Sequence, residues 1–270
     1  MEKKQESPRP TQGRGRLSAD NQAMDCKNLT DRYYSHFIGE PDILVRIPDG
    51  VSYIYSCERN TAQYGYSKPF NLYAFVQKSR VVISYGDRIA AAIPELQKQI
   101  RTPLPANQLM KLLADFFDTP ISHNVKYRFD RLPDLAAHSR RLELNDYPAY
   151  LEFFLTAHPG SRTDWLEDYF TKLVASGCCG YFVDSKLVCA SDAPGMPYLE
   201  SLVQEIGVYT LDGWRRRGFA SDVCISTARA IIESDRAPLW STSYDNIASQ
   251  RLAEGIGFAR YADVLTLTLE

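Results

Sequence analysis

No uninterrupted apolar run in this 270-residue sequence approaches the about 20 residues that a bilayer-spanning helix requires. Charge of one sign is not in excess either. With 31 Lys and Arg against 33 Asp and Glu, the net charge of −2 argues against a protein that coats nucleic acid. The 4 histidines, His36, His123, His138 and His158, are scattered, so no metal site is expected. Cysteine is sparse as well: Cys26, Cys57, Cys178, Cys179, Cys189 and Cys224 include one adjacent pair and no C-x-x-C. Four of them fall in predicted strands or helices, where a free thiol packs as a small apolar group, which predicts a reduced, cytoplasmic protein. Nucleophilic chemistry at Cys178, Cys179 or Cys189 lacks a histidine placed in the sequence to activate it. The amino-terminal stretch, residues 1–28, begins with polar residues, Pro and Gly, has no apolar signal-peptide core, and is expected to be a disordered tail.

What is present is enough apolar material, 44% of residues, for a sizeable core, in a chain long enough for two units. Residues 29–134 read as a small α+β unit: a helix at 28–40, strands at 43–47, 51–57, 70–77 and 80–85, helices at 87–100 and 106–117, and a strand at 125–129. Its tyrosines Tyr53, Tyr55, Tyr64, Tyr66, Tyr73 and Tyr85 are read as half-buried rings on strands rather than as a binding surface. This unit is expected to supply one wall of an acceptor pocket or a homodimer surface. Residues 135–270 then run strand (140–144), two helices (146–156 and 163–176), a hairpin about Asp184-Ser185, a loop at 191–198, a long strand, a helix, a strand, a helix and a closing strand.

The informative stretch is 204–233. Leu202 to Leu211, LVQEIGVYTL, reads as one mostly buried strand with Glu205 as its lone acid, and Gly207 marks a bulge or a close approach. After Asp212-Gly213 come Trp214-Arg215-Arg216-Arg217-Gly218-Phe219-Ala220-Ser221, and from Ala220 a helix whose apolar face is Val223, Cys224, Thr227, Ala228, Ile231 and Ile232. A glycine-containing basic loop at a helix amino terminus offers unpaired amides, the positive end of the helix dipole and guanidinium forks, which together suit a diphosphate.

Arg215-x-x-Gly218-x-Ala220 after Glu-Ile-Gly-Val-Tyr-Thr resembles the coenzyme A signature of the GNAT superfamily of acyl-CoA-dependent N-acyltransferases. The downstream string Asn246-x-Ala248-Ser249-x-x-Leu252-Ala253-x-x-x-Gly257-Phe258 resembles the second half of the same core. This resemblance implies a mixed α/β sheet with helices on both faces over 135–270, and acetyl-CoA as acyl donor. It implies that Val208, Tyr209 and Thr210 line the pantetheine, that Arg215, Arg216, Arg217, Gly218, Phe219, Ala220 and Ser221 hold the diphosphate, and that Asn246 faces the cofactor or simply caps its helix.

The expected activity is acetyl transfer to a primary amine of a small molecule or peptide by direct attack in a ternary complex. Glu205 is the candidate general base and the Val208 amide the candidate oxyanion donor. A paired structural carboxylate is the other reading of Glu205. Many relatives carry a tyrosine four residues before the Gly-Phe pair as general acid, where this chain has Ala253. Tyr244, Tyr209 or water are the substitutes, and a non-catalytic acyl-CoA-binding or scaffold protein is the alternative function.

Overall fold

The computed structural model describes residues 19–46, 49–63, 65–192 and 195–269. In chain order the helices are α1 (Ala19–Ile38), α2 (Ile43–Arg46), α3 (Asp87–Ala90), α4 (Ile93–Gln99), α5 (Ala106–Phe117), α6 (Tyr147–Ala157), α7 (Leu166–Ala175), α8 (Phe219–Glu233) and α9 (Ile247–Gly255). The strands are β1 (Gly50–Tyr55), β2 (Leu72–Val76), β3 (Arg80–Tyr85), β4 (Ser122–Phe129), β5 (Arg140–Arg141), β6 (Cys179–Val183), β7 (Lys186–Asp192), β8 (Val203–Glu205), β9 (Gly207–Thr210), β10 (Ala237–Ser243) and β11 (Phe258–Leu267). They form a seven-stranded mixed sheet in the order β1-β3-β2-β11-β4-β10-β8 and a four-stranded antiparallel sheet in the order β5-β6-β7-β9.

Side-chain alternation along the strands explains the layers. Tyr73, Phe75, Val82 and Val264 face the core that contains Tyr33, Tyr34 and Ile38 of α1. Their neighbours Leu72, Ala74, Val81, Ile83 and Leu265 face Ile93 and Leu96 of α4 and Leu109 and Leu113 of α5 on the other side. The smaller sheet carries α6 and α7 on one face, through Phe153, Phe170 and Leu173 against Leu187, Ala190 and Leu211. Its other face packs Cys179 and Cys189 against Val223 of α8. The architecture is a mixed α/β fold with helices on both faces of its sheets, as the sequence implied.

The large sheet draws strands from both sides of the expected division at 134/135. β4, from before the boundary, lies between β10 and β11, from after it, pairing with Trp240 through Tyr127 and with Phe258 through Phe129. Strand pairing is not encoded by neighbours in sequence, so the Leu132-Pro133-Asp134 connection looks like a linker although the hydrogen-bonded sheet crosses it.

Three local expectations change as well. Helix α1 begins at Ala19, so residues 19–28 of the expected tail are helical, while 1–18 lie outside the described residues. The strand expected at 43–47 is the four-residue helix α2, with Ile43 and Leu44 buried and Ile47 outside the described residues; a short apolar run reads equally as strand or buried turn. Of the strand expected at 140–144 two residues remain, followed by a 3-10 turn at Leu144–Asp146. Tyr64 lies outside the described residues, as do 193–194 of the expected loop.

Candidate active site

The decisive feature is where the central strand breaks. The sequence reads 202–211 as one strand; the structure divides it at Ile206 between two sheets. β8 runs parallel to β10, with Val203 opposite Ala237 and Glu205 opposite Leu239, and the Ile206 amide closes that ladder on the Leu239 carbonyl at 3.0 Å. From Gly207 onward β9 turns away and pairs antiparallel with β7. At the turn a Cβ on Gly207 would lie 3.1 Å from Cβ of Asp192, a tight contact that the glycine avoids. The result is a wedge between β9 and β10.

Hydrogen-bond alternation fixes which groups face that wedge. The Leu211 amide donates to the Val188 carbonyl at 3.0 Å, so the bonded pairs of this antiparallel ladder recur at Tyr209 opposite Ala190 and Gly207 opposite Asp192. The amides and carbonyls of Val208 and Thr210 therefore point to the opposite edge. The Thr210 carbonyl is held by Nε of Arg215 at 3.2 Å. The two amides on that edge are the groups an extended ligand backbone would pair with.

The wedge leads to the arginine loop. A 3-10 turn at Asp212–Trp214 is followed by left-handed backbone at Arg216 (φ 61°) and Gly218 (φ 84°), and α8 starts at Phe219. The first helical bond runs from the Asp222 amide to the Gly218 carbonyl at 3.1 Å, which leaves the amides of Phe219, Ala220 and Ser221 with no acceptor inside the helix. No side chain caps this end, and a Cβ placed on Gly218 would meet no atom within 4 Å. The Asp222 carboxylate is turned aside to the amides of His138 and Ser139, at 2.8 and 2.7 Å. Arg215, Arg216 and Arg217 are exposed; Arg215 pairs with Asp212 at 2.8 Å and Arg217 lies 4.9 Å from the Trp214 ring centroid. The Phe219 ring packs 4.3 Å from that of Tyr181, anchoring the first helical turn. A cradle of free amides, open space and positive charge fits a diphosphate group.

Residues 201–266, which hold wedge, loop and α9, match the family described as FR47-like protein. Among solved structures, the chain is similar to a GNAT-family acetyltransferase from Colwellia psychrerythraea (18% identity, TM-score 0.48, covering 60% of this chain and 62% of that one). It is similar also to a putative GNAT acetyltransferase from Novosphingobium aromaticivorans (19%, 0.44, 54% and 63%). A third is a putative acetyltransferase from Salmonella typhimurium with its cofactor acetyl-CoA (13%, 0.39, 50% and 94%). The chain thus spans 62% and 63% of the length of the first two structures. No curated protein matches the sequence.

Within the matched residues, Glu205 sits just before the break. Register places Glu205, Leu239, Ser241, Lys126 and Arg128 on one face of the large sheet, the face that α1 covers. The Ser241 hydroxyl donates to the Glu205 carboxylate in a short hydrogen bond. Burial holds the Lys126 ammonium below the usual lysine range, and the Glu205 charge opposes that shift. Ser241 was not legible as a partner of Glu205, since it reaches it only through strand pairing.

A cavity of about 560 Å³ borders the same break on the α6/α7 side. Gly207, Val208 and Tyr209 form one wall; Phe153, Phe154, His158, Trp165 and Tyr169 form much of the rest. Asp192 supplies a carboxylate, which accepts a 2.5 Å hydrogen bond from Tyr169. Burial first, and that bond second, hold the Tyr169 phenol above its ordinary range, so it stays a donor. The sequence shows α7 as an amphipathic helix but gives no sign that Trp165 and Tyr169 face Asp192.

Asn246 acts as a helix cap: its side chain accepts from the Ser249 amide at 3.1 Å, and it is exposed. Ala253 is fully buried in the core and leaves no group to donate a proton. Tyr244 stacks on His123 with centroids 4.1 Å apart, and Tyr209 borders the cavity. All six cysteines are free; burial pushes the thiols of Cys178, Cys179, Cys189 and Cys224 upward, Cys189 to about 11, which opposes nucleophilic use. Among the described residues no helix is long and apolar enough to cross a membrane.

Proposed function

We propose that this chain is an N-acetyltransferase that moves an acetyl group from acetyl-CoA to a primary amine within a ternary complex. The observation that carries the reading is the wedge at Ile206: amides of Val208 and Thr210 aim into it, and it leads to an open, capless helix terminus beside three arginines. Bound acetyl-CoA would supply an activated thioester carbonyl. Val208 and Thr210 would hold its pantetheine amides, and the amides of Phe219 to Ser221 with Arg215 to Arg217 its diphosphate.

The acceptor amine enters from the face of Glu205 and the aromatic cavity. Deprotonating an ammonium of pKa ~10.4 at pH 7 costs about 4.6 kcal/mol, which is the work assigned to Glu205, positioned by Ser241. The amine nitrogen then bonds to the acyl carbon, the carbon–sulfur bond breaks, and the thiolate leaves to be protonated by water, since Ala253 carries no acid. The Val208 amide stabilises the oxyanion. The six free cysteines support a cytoplasmic setting.

Calorimetry with acetyl-CoA and thiol release over an amine panel test the reading together. Binding with turnover supports it, binding without turnover on any amine supports a non-catalytic acyl-CoA-binding protein, and absence of binding refutes both.

A further inference from the structure

The aromatic cavity beside the break is built from rings and a single acid. Tyr150 and Phe153 of α6 are buried within it, while Trp165, 46% exposed, and the exposed His158 stand where it meets solvent. The rings meet edge to face: Phe154 and Trp165 at 5.5 Å and 89°, Trp165 and Tyr169 at 5.4 Å and 70°, Phe153 and Tyr209 at 6.0 Å and 78°. Among the described residues of this lining Asp192 is the one acid, and there is no lysine or arginine. A volume of about 560 Å³ falls within the ~300–1,000 Å³ typical of small-molecule sites.

Asp192 also lies over the place where the strand breaks. It is opposite Gly207 across the ladder of β7 and β9, and its carboxyl carbon is 3.7 Å from where a Cβ of Gly207 would stand. Val208, the residue assigned the oxyanion, comes next and lines the same cavity. Oδ1 of Asp192 accepts the Tyr169 hydroxyl at 2.5 Å; among the described residues Oδ2 has no partner and no salt bridge reaches the carboxylate. The guanidinium carbon of Arg215 is 5.5 Å from the Tyr209 centroid, but that arginine pairs with Asp212. A half-buried carboxylate held by a phenol and left without a cation is matched by a ligand ammonium, whose charge the ring faces also attract. Rings set edge to face leave room for a flat apolar body.

We propose that this cavity is the acceptor site and that it selects a primary amine on an aromatic or similarly apolar body, with the ammonium on Asp192 and the body among Phe153, Phe154, Trp165 and Tyr169. The assignment rests on the acetyl-transfer reading for the reaction, and on the cavity alone for binding. An amino acid brings a second carboxylate to Asp192, and a polyamine brings a second cation for which the lining holds no second acid. Both are poor acceptors.

The test compares phenethylamine, ethylamine and phenylalanine at saturating acetyl-CoA, following thiol release. Phenethylamine is expected to exceed ethylamine by about 100-fold in kcat/KM, the worth of burying a phenyl ring, and phenylalanine by about 10-fold or more, since its carboxylate meets Asp192. Trp165→Ala, at an exposed position, is expected to fold and to cut the preference over ethylamine by about 10-fold. Asp192→Asn keeps the shape of the side chain and an acceptor for Tyr169, and is expected to raise KM for phenethylamine by about 10-fold or more while the Kd for acetyl-CoA holds. Melting with phenethylamine in the absence of acetyl-CoA reads the site separately, as a rise in Tm that Asp192→Asn loses. That rise supports the site even where no thiol is released, an outcome that counts against the transfer reading alone. Ethylamine or phenylalanine used as well as phenethylamine, or a preference that survives both substitutions, would overturn the assignment and leave acetyl transfer standing.

Discussion

Gly218 lets strain and charge be separated at one position. Its φ of 84° is left-handed, so any side chain costs about 1 kcal/mol of folding stability, and the open space beyond it adds no clash. Gly218→Ala should therefore lower stability by about that amount and leave acetyl-CoA affinity nearly unchanged, because the strain is the same in the free and bound protein. Gly218→Asp carries the same strain plus a negative charge. At about 5 Å from a doubly charged diphosphate, repulsion in water-like screening is about 2 kcal/mol, reduced toward about 1 kcal/mol by salt at 0.15 M because the loop is exposed. Affinity should fall about 5- to 30-fold, and the loss should shrink as salt is raised. Calorimetric titration with acetyl-CoA, paired with urea unfolding, reads both quantities. An aspartate variant that folds and binds acetyl-CoA as tightly as the alanine variant would refute the diphosphate assignment.

The remaining predictions concern the base, the wedge and the acid limb of stability. Glu205→Gln should lower kcat by about 100-fold or more without weakening acetyl-CoA binding, and the deficit should narrow as pH rises toward the pKa of the acceptor amine; an unchanged kcat would return Glu205 to a structural role. Val208→Pro deletes an amide aimed into the wedge and not into the ladder with β7, so kcat/KM should drop about 100-fold while the protein still folds. Full activity in that variant would remove the oxyanion assignment. Burial alone would raise the Asp263 carboxyl, but hydrogen bonds from His123 (2.7 Å) and Arg260 (2.5 Å) more than offset it and hold it below the ordinary range. A depressed carboxyl contributes stability above its unfolded pKa and loses it as pH falls through the folded value. Asp263→Asn should thus cost about 1–2 kcal/mol at neutral pH and flatten the loss of stability below pH ~4. An equally steep acid limb in the variant would show that other carboxyls set it.

Legibility followed range. The arginine loop, the left-handed glycine and the 3.6-residue periodicity of α8 are written within a dozen residues, because turn chemistry and helix faces depend on neighbours up to four positions away. The capping of α9 by Asn246 and the hairpin about Asp184-Ser185, both in positive φ, were readable for the same reason. Short apolar runs were not, as the helix at Ile43–Arg46 shows, since four residues hold less than one period of evidence for either element.

By itself the sequence determined that a strand leads into a basic helix terminus able to take a diphosphate, and that Glu205 is the acid of that strand. Only the tertiary structure decided that the strand splits at Ile206 between two sheets, and that β4 from the first half completes the sheet of the second. It also decided that Ser241 hydrogen-bonds Glu205 and that Trp165 and Tyr169 share a cavity with Asp192. Pairing register and burial join residues tens to more than a hundred positions apart, and no local pattern carries that information.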